Sequence, residues 1–260
     1  MGRVRLKGRV NNQASEVGTK VSEQSIWRAV SVHDTAGRVF ASKLEASEAF
    51  EVLGDLTTGP STYNMRTLAT AIRLIAENKS CKRLMVPVDM RTIEEAGMQY
   101  ARLLMTIPLE MRAKIFVELQ TRGNPVSRIC ASFAQAIQEE GGMSVAVWAR
   151  CGSNEYLDEV MDKLSPSILA IDSKCLKASA GDRSFYIDAV ECATMGGARV
   201  LAAGVDTEAE LRSMKEIGVE LVCGGLNSKV VGVQEGVYEQ ETGIMRPYER
   251  RKERRSATAA

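Results

Sequence analysis

Residues 200–229 read VLAAGVDTEAELRSMKEIGVELVCGGLNSK. The run into Val205 is apolar and reads as a strand. Thr207 then suits a helix N-cap, and Leu211, Met214 and Ile217 recur at helical spacing. Gly218 stands just past the last of them, where helices commonly end. VELVCGG, residues 219–225, is a second apolar run. Strand, capped helix and strand in so short a span make a crossover unit, which places the two strands parallel.

The same grammar extends backwards along the chain. Strands are predicted at Leu84–Val88, Ala113–Leu119, 144–149 (SVAVWA), 167–172 (SILAID) and 198–205, and helices at Thr92–Met105, Pro125–Glu139, Glu155–Leu164 and Ser184–Met195. A further helix opens at Pro60 and shows Leu68, Ile72 and Ile75 on one face. Ahead of these, WRAVSV and RVFASKLEA flank the polar turn HDTAG, which is hairpin grammar. Continuously apolar strands alternating with helices imply a parallel sheet buried on both faces. About eight strands in roughly 215 residues suit a closed (β/α) barrel. An open doubly wound sheet is the competing architecture. The absence of G-x-G-x-x-G after the first strand argues against its dinucleotide-binding form.

Three regions are expected: a flexible basic arm over residues 1–26, a barrel over 27–235 and a basic tail over 236–260. The 260 residues are 45% apolar and 26% charged, which excludes collagen-like, fully disordered and membrane-spanning chains. The net charge of +1 is unevenly spread. Residues 1–26 and residues 241–260 each carry an excess of three cations, leaving an acidic body. That is not the footprint of a duplex-DNA-binding fold, whose cations cluster on one folded face. The basic ends suit weak contact with an anionic partner or membrane surface. Six scattered cysteines and a single histidine argue against a Cys/His zinc site and for reduced thiols in the cytoplasm. His33 falls in the first turn and reads as solvated.

Several stretches resemble the EAL domain, the barrel that hydrolyses cyclic di-GMP. Residues 200–229 resemble its closing V-V-A-E-G-V-E-T strand, helix and G-Y-L-F-S-K-P run. LSPSILAID (164–172) resembles L-P-x-D-x-L-K-I-D, FVEL (116–119) resembles L-E-I-T-E, VPVDMR (86–91) resembles V-N-L-S, and GRVFASKLEA (37–46) falls where the family writes G-R-V-x-G-x-E-A-L. The resemblance implies an EAL-type TIM-like barrel whose first strand is antiparallel.

It also implies a set of site positions. The family's two-metal chemistry needs carboxylates converging on the barrel mouth, where divalent ions polarise the phosphate and acidify water. Here the Glu of E-A-L falls on Lys43 and the Asn of V-N-L-S on Asp89, while the Glu of L-E-I-T-E survives as Glu118. The Asp pair of D-D-F-G falls on Ala149 and Arg150, or on Trp148 and Ala149 if the register slips by one. The Lys of K-I-D becomes Ala170, with Asp172 kept. The Glu of A-E-G becomes Ala203, the next Glu becomes Asp206, and the late Gln becomes Cys223. The phosphate-gripping Arg falls on Ser47. Glu118 and Asp172 then read as inherited mouth carboxylates paired with Lys43, Arg150 or Lys174.

These losses predict a pseudoenzyme with no catalytic residue, metal or cofactor. It would act through a protein partner, as degenerate relatives do in motility, flagellar assembly or surface attachment, and pairing of copies through barrel helices follows by analogy. The alternatives are a receptor that binds cyclic di-GMP uncut, using Arg150 or Lys43, or a weakly active phosphodiesterase.

Overall fold

The computed structural model describes residues 27–46, 59–77, 83–121, 123–149, 154–172, 184–226, 230–233, 237–239 and 244–246. β1 (Trp27–Asp34) and β2 (Val39–Ala46) form the expected antiparallel hairpin. Asp34 Oδ1 accepts hydrogen bonds from the backbone N–H groups of Ala36 at 3.0 Å and Arg38 at 2.8 Å, which holds the turn. His33 is buried, contrary to its reading as a solvated turn residue. The pairing register shifts between Val32 and His33. The ring donates from Nδ1 to the Gly37 carbonyl at 3.2 Å, so in its neutral form Nε2 accepts from the Ser31 hydroxyl at 2.8 Å.

Six parallel strands follow: β3 (Leu84–Asp89), β4 (Ile115–Gln120), β5 (Ser144–Ala149), β6 (Ile168–Asp172), β7 (Arg199–Ala203) and β8 (Leu221–Cys223). Each pairs with the next, β3 also pairs with β2, and β1 closes the ring by pairing antiparallel with both β2 and β8. The result is a closed, eight-stranded mixed barrel, as the resemblance implied. β9 (Val230–Val233) continues along β1 where β8 stops.

Helices α1 (Gly59–Glu77), α2 (Met90–Leu104), α4 (Arg128–Glu139), α5 (Asn154–Leu164), α6 (Ser184–Met195) and α7 (Glu208–Glu216) lie in the crossovers, with a single-turn α3 (Leu109–Arg112) before β4. Caps set their limits. α2 starts before the predicted Thr92 because the Asp89 side chain accepts from the Arg91 N–H at 2.9 Å. α4 starts after the predicted Pro125 because Ser127 is its N-cap. β4 starts after Ala113 because that residue closes the unforeseen α3. Thr207 caps α7 as expected and does so within a full capping box, its own N–H bonded to Glu210 Oε2 at 3.1 Å.

Period-two alternation divides the core in two. One layer lies between strands and helices and includes Leu44, Leu68, Val117, Val147 and Leu169. The other fills the barrel axis with Val32, Ala41, Met85, Phe116, Ile168 and Leu201 among others. Within the stretch read as a basic tail, β10 (Val237–Glu239) pairs antiparallel with β11 (Ile244–Arg246), and β10 comes close to α1. No helix among the described residues is long and apolar enough to cross a membrane.

Candidate functional site at the barrel mouth

A barrel of this kind builds its site at the C-terminal ends of the parallel strands. On β2, alternation turns Leu44 towards the helices and Ala41 and Lys43 towards the axis. On β4 it turns Phe116 and Glu118 inwards, and on β5 Ala146 and Trp148. At their C-terminal ends the facing strands offer small side chains to the axis: Ala170 from β6, Ala203 from β7 and Cys223 from β8. That wall leaves room on the axis for the two long side chains from β2 and β4.

Lys43 and Glu118 meet there. Lys43 Nζ donates to Glu118 Oε1 at 2.9 Å, with Lys43 4% exposed and Glu118 0%. The same ammonium lies 3.8 Å from the centroid of the Trp148 ring, within range of a cation–π contact. Glu118 is thus paired with Lys43, one of the cations expected beside it. Its second oxygen, Oε2, is buried without a hydrogen-bond partner. Burial, the largest single influence, would depress the Lys43 pKa, but Glu118, Cys223 and Glu45 together outweigh it and hold the ammonium above the ordinary lysine value. The Cys223 thiol beside them is pushed up to about 11, chiefly by burial, so it stays protonated at neutral pH.

The remaining predicted positions divide. Asp89 is buried at the end of β3, but its carboxylate caps α2 and lies 3.8 Å from Arg91 Nε. Asp172 ends β6 half-buried, and its backbone carbonyl accepts from the Tyr186 hydroxyl at 2.7 Å. Asp206 is exposed, and its Oδ1 accepts from the Gly225 N–H at 2.7 Å. Ala149 is not a mouth residue. It packs in the outer core layer, because the neighbouring Trp148 takes the axial side of β5. Ala170 and Ala203 do face the axis and bring no donor atom. Arg150, Ser47, Lys174 and residues 151–153 lie outside the described residues. Trp148 is the contact that the sequence-based assignment underrates: Glu118 pairs with Ala146 across the β4–β5 ladder, and Trp148 stands two residues beyond on the same face.

A pair of divalent ions requires several converging oxygen ligands. Among the described residues, no three His, Cys, Asp or Glu side chains come together as a metal-binding group. The carboxylate best placed on the axis is already bonded to an ammonium, so the donor set does not fit the two-metal site that the resemblance implies.

Comparison of the sequence with family models and with curated proteins returns no match. Solved structures do match. The Klebsiella pneumoniae BlrP1 manganese/cyclic di-GMP complex is 16% identical at a TM-score of 0.68, covering 84% of this chain and 60% of that one. The Vibrio cholerae LapD S helix-GGDEF-EAL structure is 14% identical at 0.66, covering 77% of this chain and 52% of that one. An EAL domain protein from Listeria monocytogenes is 14% identical at 0.65, covering 84% of this chain and 96% of that one. This chain therefore spans only 52% and 60% of the length of the Vibrio and Klebsiella structures. It has the EAL-type fold.

Proposed function

We propose that this chain is a catalytically inactive EAL-type domain that works in cyclic di-GMP signalling by binding a protein partner. The observation that supports this reading is the Lys43–Glu118 pair. Two-metal hydrolysis of a phosphodiester relies on cations that can hold both the phosphate and an ionisable water. An ammonium has no open coordination position, so it cannot acidify a bound water. Asp89 and Asp206 are engaged as a helix cap and a loop tie, and Ala170 and Ala203 stand where the family has a lysine and a glutamate. A barrel with its axial chemistry displaced keeps its outer helices and its basic ends as means of recognition. Control of motility, flagellar assembly or surface attachment is the role that the likeness suggests.

The test is turnover of cyclic di-GMP by the full chain with Mg²⁺ or Mn²⁺, alongside calorimetric titration with the same nucleotide. No turnover and no binding at micromolar concentrations is the expected result. Turnover that vanishes in Glu118→Gln would overturn the reading. Binding without turnover would replace it with a receptor that retains the nucleotide uncut.

A further inference from the structure

We infer that Lys43 is the resident cation of this barrel: a tethered ammonium that balances Glu118 from within and shuts divalent ions out. The inference deepens the proposed function, and rests on it for the absence of two-metal chemistry. Its own grounds are local. Glu118 is fully buried, and an isolated buried carboxylate is too costly to persist without a partner. The hydrogen bond from Lys43 Nζ to Oε1 meets that charge, while Oε2 has no hydrogen-bond partner. One close cation, and not a ring of hydrogen-bond donors, is therefore what neutralises the group.

The surroundings favour an ammonium over a metal ion. Nζ lies against the Trp148 ring at 3.8 Å, and an aromatic face attracts a monovalent ammonium. Mg²⁺ or Mn²⁺ would demand oxygen ligands in that direction. Among the other neighbours, Ala146, Ala170, Ala203 and Cys223 bring no oxygen and Cys223 holds its proton, while the Glu45 carboxylate, two residues further along β2, adds to the hold on the ammonium. The Lys43–Glu118 pair carries no net charge of its own, so Glu118 calls for no divalent counter-ion.

The experiment uses the full chain and reads Mn²⁺ directly, by electron paramagnetic resonance of free Mn²⁺ and by the thermal midpoint with Mn²⁺ or with chelator. Wild type should bind no Mn²⁺ at micromolar concentrations, and its midpoint should be the same in both conditions. Lys43→Glu sets two buried carboxylates together, so its midpoint should fall by several degrees in chelator and recover with Mn²⁺. The double variant Lys43→Met with Glu118→Leu, which carries neither charge, should fold and ignore Mn²⁺. Mn²⁺ binding by wild type that is lost in Glu118→Gln would overturn the inference, as would a folded Lys43→Glu that ignores Mn²⁺. If Lys43→Glu folds in neither condition, Lys43→Met is read by the same rule: a midpoint raised by Mn²⁺ supports the inference and indifference overturns it. A failed turnover prediction would sink the proposed function and leave these Mn²⁺ readings to stand or fall separately.

Discussion

The Asp206 carboxylate accepts the Gly225 N–H at 2.7 Å and so ties the segment after β7 to the segment after β8. The Gly204 and Val205 N–H groups both reach the Cys223 carbonyl, at 2.7 and 3.0 Å. Gly224 sits so close to this seam that an added Cβ would lie 2.3 Å from the Val205 carbonyl oxygen. An exposed hydrogen bond from backbone to carboxylate contributes on the order of 1 kcal/mol. Asp206→Ala should therefore lower unfolding stability by about that much, and Gly224→Ala by more, since it forces the two segments apart. Denaturant unfolding checks both. A Gly224→Ala protein as stable as wild type would show that the seam is loose.

Truncating either member of a buried ion pair leaves an uncompensated charge and costs about 3–5 kcal/mol, whereas replacing both with apolar groups is often neutral. Lys43→Met should fall in that range, and adding Glu118→Leu should recover most of the loss. A double-mutant cycle by urea unfolding measures the coupling. Additive losses would mean that the two groups do not depend on each other.

Two buried tyrosines should respond in opposite ways to loss of the hydroxyl. The Tyr100 hydroxyl is buried without a partner, its ring 6.1 Å from that of Phe133. Tyr100→Phe should leave stability unchanged or raise it by up to about 1 kcal/mol. The Tyr186 hydroxyl donates to the Asp172 carbonyl at 2.7 Å, and Tyr186→Phe should cost about 1 kcal/mol. Thermal midpoints of the two variants should move apart.

Alkaline pH should erode the fold. The Cys223 and Cys192 thiols rise from 9.0 to about 11, both chiefly through burial, and Cys192 also through Asp158 beside it. The unfolded chain thus releases these protons near pH 9 while the folded chain keeps them until about 11, so stability falls as pH rises through that window. Lys43, held above 10.5, adds a contribution that is complete below that pH and is lost as pH climbs through its folded value. Urea midpoints should be flat up to about pH 9 and then decline. Cys223→Ala with Cys192→Ala should flatten the first part of the decline.

The alternation of strand and helix was legible because parallel strands are apolar on both faces while the crossover helices are striped. β5 and α6 match their predicted limits residue for residue. The faces were less legible. Ala149 belongs to the mouth in both registers weighed for the Asp pair, yet it packs outside while Trp148 faces the axis, because in a strand one residue exchanges axis for exterior. His33 was misread because the register shift after Val32 has no signal in composition. Asp206 follows a strand, where a site carboxylate would also stand. Only the position of Gly225 shows that it closes a loop.

β1 is the one strand of the ring that runs against both its neighbours, and those neighbours come from opposite ends of the fold. Its hairpin with β2 is local and can form early. Its pairing with β8 must wait until residue 221 has been made and has docked. Without β8 the ring would be open, and Lys43 and Glu118 would face water, where such a pair is worth under about 1 kcal/mol. β8 sets Leu221 and Cys223 on the axis, where they exclude that water. Closure of the ring thus keeps the two charges dry, and opening the β1–β8 seam would expose the only axial ion pair among the described residues to solvent.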